Sequence, residues 1–458
     1  MSFKIVKNIS ETIGGLINRG QKRSVKAKKN ILASFFIKGL SILTGFIMVP
    51  LTIGYVDKEQ YGIWLTLSSV VGWFSFFDVG LGNGLRNKLA IALAENDMER
   101  AKSYVSSTYA ILGFLIGIVL VLFFLIQPLI NWQIILNTTS IDADELRLVA
   151  ISTFSFFCLN FILKLIYSIF KADQRPAFEG FFNLLSNVVS LTIVFILTHT
   201  TSGSLLYLSL ALGMAPLVIL VIASVFLFNG RYGSISPSYQ AVNKGHFKEL
   251  FGLGFRFFIV QLSSIIIFST DNMIITQAMG PSEVPAYAVA HKYFGLITAV
   301  FTIVSMPFWS AYTEAYASND INWIKATNKK LIKVWLGLLC LSIFMLSISS
   351  WFYEFWVPEI EVPLFLSVMM CAYVNIVGWG NIFVVFINGV GKIQLQLVFG
   401  IAATILNIPL SYFFAKTLDW GASGVIVATI ICLAYGPILA PIQFNKIVLG
   451  KATGLWNR

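Results

Sequence analysis

Twelve long apolar stretches divide this chain, at roughly 31–54, 61–83, 104–127, 146–170, 176–198, 205–228, 252–278, 286–310, 331–353, 363–388, 393–415 and 422–444. Each is long enough, at about 1.5 Å per helical residue, to cross a hydrocarbon core about 30 Å thick. The polar gaps between them are sorted by charge. Of the 32 Lys and Arg, 26 lie in or within about one turn of the odd-numbered gaps, counting both termini. Three lie at the even-numbered gaps (Lys58, Arg147, Lys416), and three lie deeper, at Lys38, Lys164 and Lys292. The even-numbered gaps are acidic instead, with Asp57, Glu59, Asp142, Asp144, Glu145, Glu283, Glu354, Glu359, Glu361 and Asp419. By the positive-inside rule both termini face the cytoplasm. The sequence therefore predicts an all-α integral membrane protein with twelve spans, lodged in a bacterial-type inner membrane.

Composition leads to the same class. With 57% hydrophobic and 12% charged residues and a mean hydropathy of +0.81, the chain is too apolar for a soluble protein of 458 residues. The net charge of +11 is spread over seven separate segments rather than massed on one face, so it orients the chain against anionic lipid and does not indicate nucleic acid. Cys158, Cys340, Cys371 and Cys432 all fall inside apolar stretches without a CxxC, which argues against a disulfide framework or a metal site. Residues 1–30 carry eight Lys or Arg, and Val6, Ile9, Ile13, Leu16 and Ile17 recur at helical spacing. That pattern predicts a basic interfacial helix ahead of the first span, with no small-residue cleavage site of a signal peptide.

Internal similarity points to two halves. A shift of 226 positions pairs Gly54-Tyr-Val-Asp-Lys-Glu-Gln-Tyr61 with Gly280-Pro-Ser-Glu-Val-Pro-Ala-Tyr287. A shift of 217 pairs Phe170–Arg175 with Ile387–Lys392, and one of 221 pairs Pro216 with Pro437. The expected organisation is a six-helix lobe at 31–228, a cytoplasmic linker loop at 229–251, a second six-helix lobe at 252–444 and a cytoplasmic tail at 445–458. With an even number of spans in each half, the repeat is parallel, about an axis along the membrane normal.

The stretch Pro50-Leu-Thr-Ile-Gly-Tyr-Val-Asp-Lys-Glu-Gln-Tyr-Gly-Ile-Trp64, followed by Phe77-Asp-Val-Gly-Leu-Gly-Asn-Gly-Leu-Arg-Asn87, resembles the O-antigen (Wzx-type) flippases and polysaccharide exporters of the multidrug/oligosaccharidyl-lipid/polysaccharide superfamily. Thr270-Asp-Asn-Met-Ile-Ile275 and Gly280–Ala290 are similar to that superfamily's seventh and eighth helices. The resemblance implies a MATE-like, V-shaped bundle of two six-helix lobes around a central cavity that opens alternately to each side. It also implies a cargo of undecaprenyl-diphosphate-linked oligosaccharide, such as an O-antigen repeat unit, and contact with other polysaccharide assembly proteins. The drug-exporting branch typically carries an acid in its first helix; residues 31–54 hold none and carry Lys38 instead.

Ionisable groups within the stretches are the candidate site. A charge facing lipid near the bilayer centre costs about 2.5–3.5 kcal/mol, so Lys38, Asp78, Lys164, Glu179, Arg256, Asp271, His291, Lys292 and Glu314 should face protein, water or the membrane surface. Glu179, Arg256 and Glu314 lie near boundaries where side chains snorkel. Lys38, Lys164, Arg256 and Lys292 come from four helices, and together they could compensate the two negative charges of a lipid diphosphate. Asp78, beside Gly80, Gly82 and Gly84, fits either a coupling role or pairing with Arg86. Asp271 fits an ion pair or a carrier of H⁺ or Na⁺, and His291 is a further proton carrier candidate.

Trp64, Trp73, Trp309, Trp351, Trp356, Trp379 and Trp420 lie in or near span ends, as interface anchors do, with sugar stacking as the other role. Pro50, Pro216, Pro307, Pro409 and Pro437 lie within stretches and predict kinks. No GxxxxGK[ST], HExxH or GxSxG is present, and the outer loops are too short to hold an acceptor, so an enzyme is not expected. Two classes remain: a lipid-linked oligosaccharide flippase and a cation-coupled multidrug exporter. Cavity charge separates them, since a diphosphate calls for Lys and Arg and cationic drugs call for acids.

Overall fold

The computed structural model describes residues 22–73, 81–173, 175–243, 245, 270–305, 308–433 and 435–457. Ten helices among the described residues are long and apolar enough to cross a membrane. The other two expected spans, 61–83 and 252–278, fall partly outside the described residues, where helices Lys58–Trp73 (α2) and Asp271–Met279 (α9) cover their outer portions. Residues 1–21, Asp78, Arg256 and Pro307 also lie outside them. From Lys22 the chain is already helical and continues without a break to Tyr55 (α1), so residues 22–30 extend the first span.

Contacts divide the described residues into two compact units. One takes its residues from Met1–Tyr55, Asp78–Leu129 and Val149–Arg256, the other from Val56–Phe77, Ile130–Leu148 and Phe257–Arg458. The first unit holds α1, Leu81–Ala94 (α3), Met98–Ile126 (α4), Ala143–Leu163 (α5, from Val149), Leu165–Ala172 (α6), Pro176–Thr200 (α7) and Leu205–Asn229 (α8). Close helix approach in it depends on small residues, as lipid gives helices no hydrophobic reason to associate. A Cβ on Gly213 of α8 would lie 2.6 Å from the Phe156 ring of α5. Buried aromatic and aliphatic side chains, among them Leu85, Leu89, Tyr104, Ile166 and Phe170, close its inner end.

The second unit holds α2, α9, Val284–Ser305 (α10), Phe308–Ala317 (α11), Ile321–Ser347 (α12), Ser349–Trp356 (α13), Leu364–Gly389 (α14), Gln394–Tyr412 (α15), Gly421–Cys432 (α16) and Ala440–Val448 (α17). Gly380 of α14 passes Gly436 so closely that a Cβ on Gly380 would lie 2.9 Å from the Gly436 backbone. Pro437 sits in a π-helical turn, Tyr435–Leu439, and the Trp379 indole N–H donates to the Pro437 carbonyl at 3.2 Å. Trp379 is thus a structural brace of that turn within the span and not an interface anchor. Pro50, Pro216 and Pro409 are carried inside continuous helices.

Three helix ends in each unit close with the same kind of backbone bond. Asp97 N–H bonds Ala92 C=O (3.0 Å), Arg175 bonds Phe170 (2.8 Å) and Tyr232 bonds Leu227 (2.8 Å). In the second half Asp320 bonds Ala315 (2.8 Å), Lys392 bonds Ile387 (3.1 Å) and Lys451 bonds Lys446 (2.8 Å). Each closes five residues and returns an orphan carbonyl to a partner, and the four with a left-handed residue before the donor are Schellman C-caps. That residue is Asn96, Asn319, Gly391 or Gly450. Corresponding closures stand 223, 217 and 219 residues apart, in the order the sequence repeat requires.

Candidate functional site

In the second unit, α9 begins beside α10 and α14. Asp271, 7% exposed, accepts a short hydrogen bond from the Tyr287 hydroxyl on Oδ2, and its Oδ1 has no hydrogen-bond partner among the described residues. No Lys or Arg among them lies in ion-pair range of it. His291, one turn beyond Tyr287 on α10, is exposed, and its ring stands 6.1 Å from Tyr287 and 6.3 Å from Tyr373 of α14. Lys292, next in sequence, is half-buried.

Polar ties fix α9 in place. Thr276 and Thr66 share a hydroxyl bond of 2.6 Å, Asn137 donates to the Thr276 carbonyl at 2.9 Å, and Gln277 donates to the Ile134 carbonyl at 3.1 Å. An uncompensated buried carboxylate costs several kcal/mol. The arrangement is therefore suited to taking up one proton or one small cation, with Tyr287 orienting the acceptor. Beside it, Trp73, Met273, Ile274, Ile408 and Tyr412 line an apolar hollow.

The first unit holds two further candidate cations, Lys38 and Lys164. Lys164 is exposed and sits at the break between α5 and α6. Lys38 on α1 is exposed, near the inner end of the apolar part of its helix, which runs from Phe36. Ile37 packs against Gly180 of α7, where an added Cβ would lie 3.1 Å from it. Lys171 pairs with Glu179 at 3.0 Å, and the Tyr167 hydroxyl donates to Asn183 Oδ1 at 3.0 Å.

The structure thus brings Asp271 and His291 into one aromatic cluster of the second unit and places Lys38 and Lys164 in the first unit. Lys292 belongs to the other unit. Asp78 and Arg256 lie outside the described residues. Sequence reading missed Tyr287 and Tyr373, since no local spacing links them to Asp271, and it missed the pairing of Glu179 with Lys171, which a view of Glu179 as a boundary residue obscured.

Comparisons with known proteins fit this picture. A protein named as an O-antigen transporter in Salmonella typhimurium is 22% identical over 415 residues, covering 90% of this chain and 93% of that one. An O-antigen export protein of Yersinia pseudotuberculosis is 21% identical, covering 83% and 85%. Among solved structures, an inward-facing multidrug resistance MATE transporter of the MOP superfamily matches with a TM-score of 0.75 at 12% identity, over 92% of this chain and 100% of that one. The lipid II flippase MurJ in an inward closed conformation matches with a TM-score of 0.66 at 17% identity, over 92% and 90%. The fold is MATE-like, and the relatives are transporters rather than enzymes. The family model described as polysaccharide biosynthesis protein matches residues 27–312, more than half of the chain, so this multi-pass membrane protein belongs to that family.

Proposed function

We propose that the protein is a flippase that turns an undecaprenyl-diphosphate-linked oligosaccharide from the cytoplasmic to the outer leaflet of a bacterial inner membrane, by alternating access through a cationic path. Both termini face the cytoplasm. The observation that carries this reading is the set of ammonium groups in otherwise apolar spans, Lys38, Lys164 and Lys292, in a member of this family whose first helix carries no acid. A diphosphate crosses a low-dielectric path only if fixed cations compensate it. Asp271, whose Oδ1 has no hydrogen-bond partner among the described residues, serves as the site for a coupling H⁺ or Na⁺. Downstream polysaccharide assembly proteins then consume the cargo.

The test is export of surface glycan in a strain that depends on this protein. Lys38→Ala and Lys292→Ala should each abolish export at normal membrane levels, and Lys→Arg should keep part of it because charge persists while donor geometry changes. Loss of a desolvated charge partner costs about 3–5 kcal/mol, more than a hundredfold in transport. Normal export by both Ala variants would refute the cationic path. Loss of drug efflux in Asp271→Asn, with glycan export intact, would put a multidrug exporter in its place.

A further inference from the structure

On α7, Glu179, Asn183 and Asn187 recur every four residues and so share one face. Asn183 and Asn187 are exposed and Glu179 partly so, within a helix apolar enough to span a membrane. Facing hydrocarbon, these amides and this carboxylate would each cost several kcal/mol, so the row borders water or a polar ligand. Opposite it, Lys164, Tyr167 and Lys171 stand at i, i+3 and i+7.

The two rows meet at two points. Lys171 Nζ lies 3.0 Å from Glu179 Oε2, the Tyr167 hydroxyl donates to Asn183 Oδ1 at 3.0 Å, and Lys164 lies within range of the Glu179 charge. The contact of Ile37 with Gly180 sets Lys38 within about one helical turn of the same level. Lys171 therefore pairs with this carboxylate and Lys164 feels its charge, while Lys38 follows the residue that packs against Gly180, at the end of the helices that the distribution of basic residues assigns to the cytoplasm. The excess of about two positive charges matches a diphosphate.

We infer that this paired row in the first unit is where the diphosphate of the lipid-linked cargo first binds, and that Glu179 is its built-in stand-in. With the site empty, the Glu179 carboxylate holds Lys171 and keeps the lysines from repelling one another. Arriving phosphates carry more charge and more acceptor oxygens than one carboxylate, displace it, and leave Asn183 and Asn187 free to meet the first sugar. This rests on the flippase reading and deepens it, because it names the loading site and the group the cargo must displace.

Binding of undecaprenyl diphosphate to the purified full chain in lipid nanodiscs tests it, with inorganic pyrophosphate as competitor. Glu179→Gln, nearly isosteric, should tighten binding severalfold, because the internal competitor is gone. Lys164→Ala/Lys171→Ala should weaken it at least tenfold and abolish competition by pyrophosphate, with thermal stability unchanged. A purely structural ion pair predicts the opposite for Glu179→Gln, a loss of stability with no gain in binding. Unchanged or weaker binding in Glu179→Gln, or full pyrophosphate competition in the double variant, overturns the inference. If the wild type binds the lipid and Lys292→Ala alone impairs it, the flippase reading stands and this loading site falls. If the wild type binds no undecaprenyl diphosphate, both fall.

Discussion

A double-mutant cycle on Asp271 and Tyr287 reports whether the buried carboxylate carries charge. Tyr287→Phe removes only the hydroxyl that donates to Oδ2, and Asp271→Asn keeps the shape while removing the ionisable group. Interhelical hydrogen bonds between neutral groups in membrane proteins couple by about 0.6 kcal/mol on average and at most about 1.7. Bonds to a charged group contribute about 1.5–3 kcal/mol. Asp271 is 7% exposed and Tyr287 4%, so water screens the pair little, and Tyr287 supplies the only hydrogen bond the carboxylate has among the described residues. The expected coupling, measured by reversible unfolding in mixed micelles, is therefore about 1.5–3 kcal/mol for an ionised Asp271 and about 0.6 for a neutral one. Repeating the cycle at pH 5 and pH 8, with and without Na⁺, separates the two possible ligands: a proton site loses coupling at low pH, and a cation site changes with Na⁺. Additivity within about 0.3 kcal/mol under all four conditions would mean that the contact contributes nothing and would refute the ion-site argument.

Reporter fusions at residues 140 and 418 should read out as periplasmic, as the sorting of basic residues requires, and a cytoplasmic signal at both would reverse the orientation. Gly380→Ala should destabilise the protein by about 1–3 kcal/mol, because the added methyl would lie 2.9 Å from Gly436 backbone that cannot rotate away; Gly337→Ala, with open space around it, is the control, and equal melting temperatures would refute the packing argument. Gln443 is fully buried, accepts from the Tyr435 hydroxyl at 2.8 Å and donates to the carbonyls of Lys392 (2.9 Å) and Trp456 (3.2 Å). Gln443→Ala should cost about 1–3 kcal/mol and render the chain after Gly450 protease-sensitive, and a protected tail in that variant would show that the bond of Lys392 to Asn457 and the seat of Lys446 over the Trp456 ring suffice to hold it.

Much of the scaffold was legible because a bilayer reduces the problem to length and apolarity. The sequence repeat was legible for a related reason. Phe170–Arg175 and Ile387–Lys392 align at a shift of 217, and the structure gives both the same capping bond. Asn96-Asp97 and Asn319-Asp320 went unread, although each places a left-handed Asn before an N-capping Asp, because the shift there is 223 and a constant offset passes over it. The site was less legible. Asp271 was visible as an acid in an apolar stretch, but its partner Tyr287 lies 16 residues on and across a turn, and Tyr373 lies on another helix altogether. Trp379 misled for the opposite reason: composition assigns an indole to the membrane surface, and only tertiary contact reveals the proline carbonyl it satisfies.

A shared scaffold with divided chemistry follows from these placements. Six helix ends, three in each unit, close with the same five-residue backbone bond. Such ends are fixed by backbone need, since an orphan carbonyl must find a donor whatever the helix carries. Side chains lining the spans were under no such constraint, and they diverged. The first unit pairs Lys171 with Glu179 and keeps Lys164 within range of that charge, whereas the second buries Asp271 with a tyrosine and no described cation in range. A lipid diphosphate and a proton or Na⁺ have opposite charge, so one constellation cannot hold both well. On the flippase reading proposed above, the anion's partners lie in one unit and the cation's acceptor in the other, so the two ligands need not compete for a site. This arrangement predicts that Asp271→Asn leaves diphosphate binding within about twofold of wild type while abolishing the ion dependence of export. A loss of diphosphate binding as large as that of Lys164→Ala/Lys171→Ala would show that the two chemistries share one site after all.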